Sequence, residues 1–311
     1  MGRFSSEKYA PLFDIEKAAA PPFAERRPTR QEWGKKLEHG AVGCYRVKRI
    51  ESGDYLEYEC YPVWKWRREA SRAKKLNGTE KAMKGQNEKN AWKKLIRLLN
   101  TNFTQADLAI TLSYAGRPPE TVEQARRDVQ NYLKRIKRWR EGQGLPELKY
   151  ISVIECLGVD GRRKRVHHHI VMSGMDRDKA EELWGKGRAN TFKLQPDEYG
   201  LEGWGRYVSK ARGKRQLNEK SWTGSRNLKQ PKVTVADTKL SRRAVEMALV
   251  DEETLRDLIH RKEPAHMVND IKIKISDYVP GAYISIRMRR ITPRGSPPEK
   301  KKRGRPPAGK T

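Results

Sequence analysis

The order of the secondary-structure elements predicted between residues 107 and 211 constrains the fold of this chain more than any other feature. Short apolar stretches alternate there with amphipathic ones, and their periodicities predict the order β-α-β-β-α-β-α. The predicted strands cover 107–114, 148–157, 166–172 and 189–194, and the predicted helices begin near Arg117, Asp176 and Glu202. Such an order is typical of the split βαβ fold, an α+β arrangement in which helices cover one face of an antiparallel sheet.

The segments on either side of this region predict further domains. Alternating apolar residues around the turn Ser52-Gly53-Asp54 indicate a β-hairpin, and apolar residues recur at helical spacing up to Phe103. Residues 242–259 predict an amphipathic helix and residues 271–286 a final strand pair. The predicted domains are a flexible basic arm at 1–40, a hairpin and helix extension at 41–103, the central domain at 104–235, a C-terminal α/β extension at 236–291 and a disordered basic tail at 292–311.

The charge of the chain indicates a nucleic-acid partner. The 68 lysines and arginines outnumber the 39 aspartates and glutamates, which gives a net charge of +29. A charge of that size repels itself unless a polyanion neutralises it, and nucleic acid is the commonest such partner.

No apolar run approaches the roughly 20 residues that cross a bilayer, and three scattered cysteines fit a reducing compartment. We therefore expect a soluble intracellular protein without membrane contact.

A run of three histidines, His167 to His169, lies in the predicted strand 166–172. Side chains two residues apart in a strand point to the same face, so His167 and His169 can bind one metal ion while His168 points to the other face. Two imidazoles on an otherwise apolar strand are costly to bury without a ligand or a hydrogen-bond partner. The alternative is a polar strand end or a chance cluster of histidines.

Glu155 in the preceding strand would complete the set of donors. One carboxylate with two imidazoles leaves coordination positions open, which suits Mn²⁺ or Mg²⁺ acting on an oxyanion. A two-residue turn at Asp160-Gly161 would put Glu155 opposite Val166, away from the side chains of the ligand histidines. A three-residue loop would put it opposite His167 instead. With the first register, Glu155 would be a surface residue.

Tyr207 and Lys210 are three residues apart in the last predicted helix of the central region, and hence neighbours on one helical face. A phenol with its ordinary pKa of about 10 is a poor nucleophile at neutral pH. A cation one turn away favours the phenolate and can hold a phosphate group. The pair taken alone is weak evidence, because a half-buried tyrosine beside an extended lysine is common on helices.

Four motifs occur in the order DLAITLSY, a strand with Glu155, HHHIVM and YVSK. This set resembles the HUH endonuclease superfamily, and in particular the single-tyrosine rolling-circle replication initiators of phages, plasmids and integrated elements. The resemblance spans residues 88–230. It implies that His167, His169 and Glu155 hold Mn²⁺ or Mg²⁺. It also implies that Tyr207 attacks single-stranded DNA, with Lys210 as its helper.

The resemblance also implies a product and a setting. The nick would leave a 5′-phosphotyrosine link and a free 3′-hydroxyl that primes replication. The protein would act in the cytoplasm of a bacterial host, with the host helicase and polymerase as partners.

Two features of the sequence bear on how closely it follows the family pattern. The middle residue of the histidine run is usually apolar in the family, and here it is His168, which could replace a ligand in a shifted register. Two-tyrosine initiators carry a second tyrosine near the first, and Ala211 and Arg212 stand at that position here. The resemblance therefore implies a single-tyrosine mechanism.

Further basic residues are predicted to contact single-stranded or duplex DNA. The segment SWTGSRNLK, which contains Arg226, belongs to the region of resemblance. The run KKKRGRP resembles an AT-hook, whose Arg303 and Arg305 would enter the narrow minor groove of A·T-rich duplex; the alternative is a solubilising basic tail.

Residues 304–311 also match the phosphate-loop pattern, but lysines precede them and two prolines lack amide donors, so we do not expect an ATP site.

Two other functions are compatible with the sequence. A transposase or relaxase of the same superfamily would share the site residues. A non-catalytic module could instead use a βαββαβ sheet to bind single-stranded nucleic acid, which requires exposed aromatic side chains on the face of the sheet.

Overall fold

The computed structural model describes residues 23–24, 42–64, 80–157, 163–209, 222–276 and 281–291. The strands are β1 (Phe23–Ala24), β2 (Val42–Ser52), β3 (Tyr55–Trp64), β4 (Leu108–Ser113), β5 (Tyr150–Leu157), β6 (Arg163–Met172), β7 (Ala189–Lys193), β8 (Thr223–Gly224), β9 (Lys232–Ala236), β10 (His266–Ser276) and β11 (Ala282–Arg290). The helices are α1 (Glu80–Asn102), α2 (Val122–Gly142), α3 (Arg177–Glu182), α4 (Glu202–Ser209), α5 (Arg242–Val250) and α6 (Glu252–Lys262). None of these helices is long and apolar enough to cross a membrane.

The central region forms a five-stranded antiparallel sheet with the strand order β7-β4-β6-β5-β8. Along the chain its elements run β4-α2-β5-β6-α3-β7-α4, which is the predicted order. Strands β4 and β6 lie side by side in the middle of the sheet, as the split βαβ arrangement requires. The predicted α+β fold is therefore confirmed, and β8 adds one short strand at an edge.

Helices cover both faces of this sheet, whereas the sequence predicted cover on one face only. On one face α2 and α3 pack on the even-numbered residues of β4 and β6, with Ile136 of α2 fully buried. On the other face Leu99 of α1 and Trp204 of α4 pack against the odd-numbered Ala109 and Val171. The difference arises because α1, which precedes the βαββαβ unit in the chain, carries its own apolar stripe, and that stripe has to be buried.

The hairpin and the C-terminal segment form one six-stranded antiparallel sheet, with the order β1-β10-β11-β3-β2-β9. The predicted hairpin β2-β3 and the predicted final pair β10-β11 are confirmed. One face of the sheet carries apolar side chains, among them Val47, Leu56 and Ile286, and packs on α5 and α6. The segments predicted as separate extensions, 41–103 and 236–291, thus contribute strands to one sheet.

Helix α1 lies between the two sheets. Leu95 and Leu99 of its apolar stripe are almost fully buried against the five-stranded sheet. On its other side Arg97 donates to Glu57 at 2.6 Å and to Glu59 at 2.7 Å, and both glutamates belong to β3. The helix predicted in this segment is confirmed, and it begins earlier than the apolar pattern indicated.

Two predicted helix boundaries are wrong. The helix expected to begin near Arg117 begins at Val122, because the hydroxyl of Thr121 accepts a backbone N–H of the first turn and caps the helix there. The single helix expected over 242–259 is divided into α5 and α6. Asp251 has an extended backbone at the break, and its side chain caps α6.

The turn between β2 and β3 depends on Gly53. Its φ of +62° is one that residues with a Cβ rarely adopt. A Cβ built at this position would lie 2.1 Å from the carbonyl oxygen of Asn100 in α1. Only a glycine therefore lets the hairpin approach the end of α1 this closely.

Gly53→Ala should destabilise the fold by roughly 2 kcal/mol or more, because a left-handed backbone costs about 1–2 kcal/mol and the clash adds to that cost. Gly116→Ala is the matched control, since Gly116 has a similar φ of +72° and open space where its Cβ would be. The free energy of unfolding of Gly116→Ala should fall only by the cost of the left-handed backbone, about 1–2 kcal/mol. Denaturant unfolding of both variants measures the difference, and equal losses would contradict a steric role for the contact with Asn100.

Candidate functional site

The register between β5 and β6 places Glu155 directly opposite His167. This is the register that the longer of the two predicted loops would produce, and the loop itself lies outside the described residues. Val153 is opposite His169, so Glu155, His167 and His169 occupy one face of the sheet. That face packs on α1 and α4, because Val153 and Val171 belong to the same apolar core as those helices.

His169 is buried, with 3% of its surface exposed, and both of its ring nitrogens have partners. Its Nε2 lies 3.1 Å from Oε2 of Glu155, and its Nδ1 lies 3.2 Å from the hydroxyl oxygen of Thr111 on β4. Thr111 is paired with His169 across β4 and β6, so this contact follows from the register of the sheet. In the tautomer whose Nδ1–H donates a hydrogen bond to the Thr111 hydroxyl, Nε2 keeps its lone pair for the site.

The positions of Glu155 and His169 are compatible with a shared divalent ion. Two donors in adjacent coordination positions, each about 2.1 Å from an ion, lie about 3 Å apart. The two side-chain atoms here are 3.1 Å apart. His167 is the third donor on this face by register. In the described ranges no three His, Cys, Asp or Glu side chains are already placed to hold an ion together, so His167 would have to turn towards the other two.

Helix α4 carries Tyr207 to the same face of the sheet. The rings of Tyr207 and His169 stand edge to face, with 5.4 Å between their centroids and an angle of 81°. Tyr207 is half-buried against the core that α1 and α4 share. Gly205 permits the close approach of these helices, because a Cβ at that position would lie 2.1 Å from Cδ1 of Ile96. Imidazole, carboxylate and phenol groups thus lie together.

His168 points to the opposite face of the sheet and is fully buried there. Its Nε2 lies 2.8 Å from the hydroxyl oxygen of Tyr114, which donates to Asp128. Asp128 in turn forms an ion pair of 3.0 Å with Lys186. Burial lowers the pKa of His168 to about 3, so the ring is neutral at physiological pH. The shifted register in which His168 would replace a ligand is not adopted.

Other predicted site residues lie elsewhere. Lys210 follows the last described residue of α4, and Arg303 and Arg305 of the AT-hook-like run lie outside the described residues, as do residues 211–212. Arg226 is exposed and follows β8, the strand at the edge of the five-stranded sheet. The described site therefore contains the three predicted ligands and the predicted nucleophile.

The sequence pattern did not indicate Thr111 or the partners of His168. Thr111 could have been found by pairing β4 with β6, since the central strands of a split βαβ sheet are adjacent and antiparallel. Tyr114 and Asp128 meet only because α2 packs on the sheet, and no local pattern in the sequence signals that contact.

The fold and the site define a class of protein. Its members are α+β proteins with a split βαβ sheet, and one face of that sheet brings together two histidines, a glutamate and a tyrosine. A family model described as replication-associated protein ORF2/G2P matches residues 107–215. The match extends over all elements from β4 to α4, and therefore includes every described residue of the site. No curated protein and no solved structure matches the chain. The family match supports a role in replication and an interaction with DNA.

Burial of His168 should make the metal-free protein less stable in acid. In the unfolded chain this histidine binds a proton near pH 6.5, whereas in the folded protein it does so only near pH 3. Between these values the unfolded state holds more protons, so the free energy of unfolding falls by up to about 1.4 kcal/mol for each unit of decreasing pH. The full stability is present above the pKa of the histidine in the unfolded chain, and it is lost as the pH falls towards the pKa in the folded protein.

His168→Gln removes the titrating group and should flatten this dependence between about pH 6 and about pH 4. His260→Gln is the control, because His260 is exposed on α6 and should leave the slope unchanged. Urea unfolding in EDTA at a series of pH values gives the slope for each variant. A slope in His168→Gln equal to that of the wild type would show that another group controls acid stability.

Proposed function

We propose that this protein nicks and rejoins single-stranded DNA at a specific site through a 5′-phosphotyrosine intermediate, and thereby initiates rolling-circle replication. The observation that carries the proposal is the contact between the rings of Tyr207 and His169, 5.4 Å apart, within the region that matches replication-associated proteins. A phenol beside imidazoles and a carboxylate supplies a nucleophile and metal donors, which metal-assisted phosphoryl transfer requires.

In this proposal His167, His169 and Glu155 hold Mn²⁺ or Mg²⁺. An ion bound there would polarise a non-bridging oxygen of the scissile phosphate and stabilise the charge that develops on it. One carboxylate and two imidazoles leave coordination positions open for phosphate oxygens. Thr111 orients the ring of His169 by accepting a hydrogen bond from its Nδ1–H.

Tyr207 supplies the attacking atom. Its phenolic oxygen forms a bond to phosphorus as the bond between phosphorus and the 3′ oxygen of the preceding nucleotide breaks. The phenol loses its proton and the departing 3′ oxygen gains one. Lys210, three residues further along the chain, would favour the phenolate. Because the covalent link conserves the energy of the phosphodiester, attack by a 3′-hydroxyl reverses the reaction and joins strands.

The proposed partners are the single-stranded and duplex DNA of an origin. The polymerase of a bacterial host would extend the free 3′-hydroxyl while a host helicase separates the strands. Arg226 is a proposed contact to the strand near the five-stranded sheet, and Arg303 and Arg305 are proposed contacts to A·T-rich duplex.

For the five-stranded sheet, a catalytic role is favoured over a role in binding single strands alone. A sheet that binds bases on its face needs that face uncovered, and here helices pack on both faces. A transposase or relaxase of the same superfamily would use the same side chains. The match to replication-associated proteins is the observation that favours replication over those two activities.

Loss of either ligand histidine should weaken Mn²⁺ binding in the absence of DNA. His167→Ala and His169→Ala each remove one donor, so the loss of affinity should exceed the roughly 10–100-fold typical of a residue that only supports a ligand. Thr111→Val should fall within that range. His260→Ala is the matched control, because His260 is exposed on α6. Isothermal titration calorimetry ranks the variants, and wild-type affinity in His167→Ala would exclude His167 as a ligand.

Tyr207→Phe removes one oxygen and keeps the ring that packs beside His169, so the fold and Mn²⁺ binding should persist. The covalent protein–DNA adduct and the nick should both be lost, because no attacking atom remains. Lys210→Ala should slow the reaction by about 10²–10³-fold, the scale of one electrostatic contact. The measurement is adduct formation with labelled single-stranded DNA and Mn²⁺ on a denaturing gel.

Tyr150→Phe is the control for that experiment, because Tyr150 packs on the opposite face of the sheet and should leave adduct formation unchanged. An adduct with Tyr207→Phe would show that another tyrosine is the nucleophile. Absence of an adduct from the wild type, with every divalent ion and single-stranded substrate tried, would contradict the proposed function.

A further inference from the structure

A cleft of about 1110 Å³ lies between the six-stranded sheet and the helices α1 and α4. We call it the inter-sheet cleft. Lys272, Tyr283 and Arg287 line it from the sheet, and Trp92 and Lys94 line it from α1. Among the described residues, neither the proposed metal ligands nor the proposed nucleophile line it. The cleft is therefore distinct from the candidate active site.

The lining of the inter-sheet cleft has an excess of positive charge. It contains eight lysines and arginines and three glutamates, a difference of five. Asp270 pairs with Arg287 from outside the lining and reduces that difference to four. Lys94 and Lys272 are both exposed. Positive charge that is concentrated between two walls attracts a polyanion.

Aromatic side chains lie among these cations on the sheet that forms the floor of the cleft. Lys274 on β10 is paired with Tyr283 on β11. Because Ile284 is paired with Cys60, the next residues outward, Tyr283 and Tyr61, lie side by side on β11 and β3. Adjacent strands are about 4.8 Å apart, so two half-buried tyrosines line the cleft side by side, next to a lysine.

We infer that the inter-sheet cleft binds single-stranded DNA, with bases stacked on Tyr61 and Tyr283 and phosphates held by Lys94 and Lys272. A cationic groove with interspersed aromatic rings is the arrangement by which proteins hold single strands without reading their sequence. A duplex is disfavoured, because its bases stack on one another and offer no free face to a tyrosine. The inference rests on the proposed function, in which a single strand is the substrate.

Helix α4 connects the cleft to the proposed nucleophile. Arg206, the chain neighbour of Tyr207, lines the cleft and lies over the ring of Trp92 at 5.0 Å. Arg206 also donates to Glu202 at 2.6 Å, and Glu202 accepts from Arg287 of β11 at 2.8 Å. A strand in the cleft would lie against the helix that carries Tyr207. The cleft is thus positioned to hold DNA that flanks the nick.

The double variant Lys94→Gln/Lys272→Gln tests this inference. Its affinity for a labelled oligothymidylate of about 15 nucleotides, within the site sizes of single-strand binding proteins, should fall by about tenfold or more. The slope of log affinity against log salt should fall by about 1.4, because each contact to a single-strand phosphate contributes about 0.7. Fluorescence anisotropy in EDTA over a range of salt concentrations provides both quantities.

Two further variants complete the experiment. Arg261→Gln/Lys262→Gln is the matched control, since it removes the same charge from exposed residues of α6, on the far side of the six-stranded sheet, and should change neither quantity. Tyr61→Leu should lower the affinity by about fivefold or more, the scale of one lost stacking contact, without altering the salt slope.

All of these variants should still form the covalent adduct on a cleavable single strand at saturating DNA, which separates this inference from the proposed function. If the lysine variant binds the strand as its control does, the inference is overturned whatever the adduct assay shows. An equal loss of affinity for the oligothymidylate–oligoadenylate duplex would overturn the single-strand assignment. Wild-type protein that binds the strand through the two lysines but forms no adduct would support the cleft and contradict the nicking reaction.

Discussion

Helix α1 is fixed between two sheets by an apolar stripe on one side and by Arg97 on the other, and the rest of the structure depends on that placement. Arg97 donates to Glu57 and Glu59, and Lys93 contacts Glu59 at 3.0 Å. Burial alone would raise the pKa of Glu59, but Lys93 and Arg97 outweigh it and lower the pKa to about 2. The contact between α1 and the six-stranded sheet is therefore ionic throughout the neutral pH range.

The same helix determines what the two neighbouring surfaces can do. Its apolar side closes the face of the five-stranded sheet that carries His169, and it supports α4 so that Tyr207 lies beside that histidine. Its polar side forms one wall of the inter-sheet cleft, with Trp92 and Lys94. A few polar groups of the five-stranded sheet are thereby buried and held in place, whereas the facing surface of the six-stranded sheet carries charged side chains that line the cleft.

The central fold could be predicted from the sequence because periodicity is a local property. The shared face of His167 and His169 follows from strand parity alone, and the structure has that parity. The position of Glu155 could not be decided in the same way, since it depends on the length of a loop. The pairing of β2 with β9 could not be predicted at all, because contacts between segments so distant in the chain leave no local pattern. The same applies to Tyr114 and His168, which come together only through tertiary packing.

His168 shows what the middle position of a histidine–residue–histidine motif requires. That position faces the core under α2, so it favours a side chain that is uncharged at neutral pH and has a partner for any polar atom. The imidazole of His168 is neutral when buried, and the Tyr114 hydroxyl lies beside its Nε2, whereas its buried Nδ1 has no hydrogen-bond partner among the described residues. A search pattern that demands an aliphatic residue there would overlook chains of this kind. A pattern written in terms of which face each residue occupies would retain them.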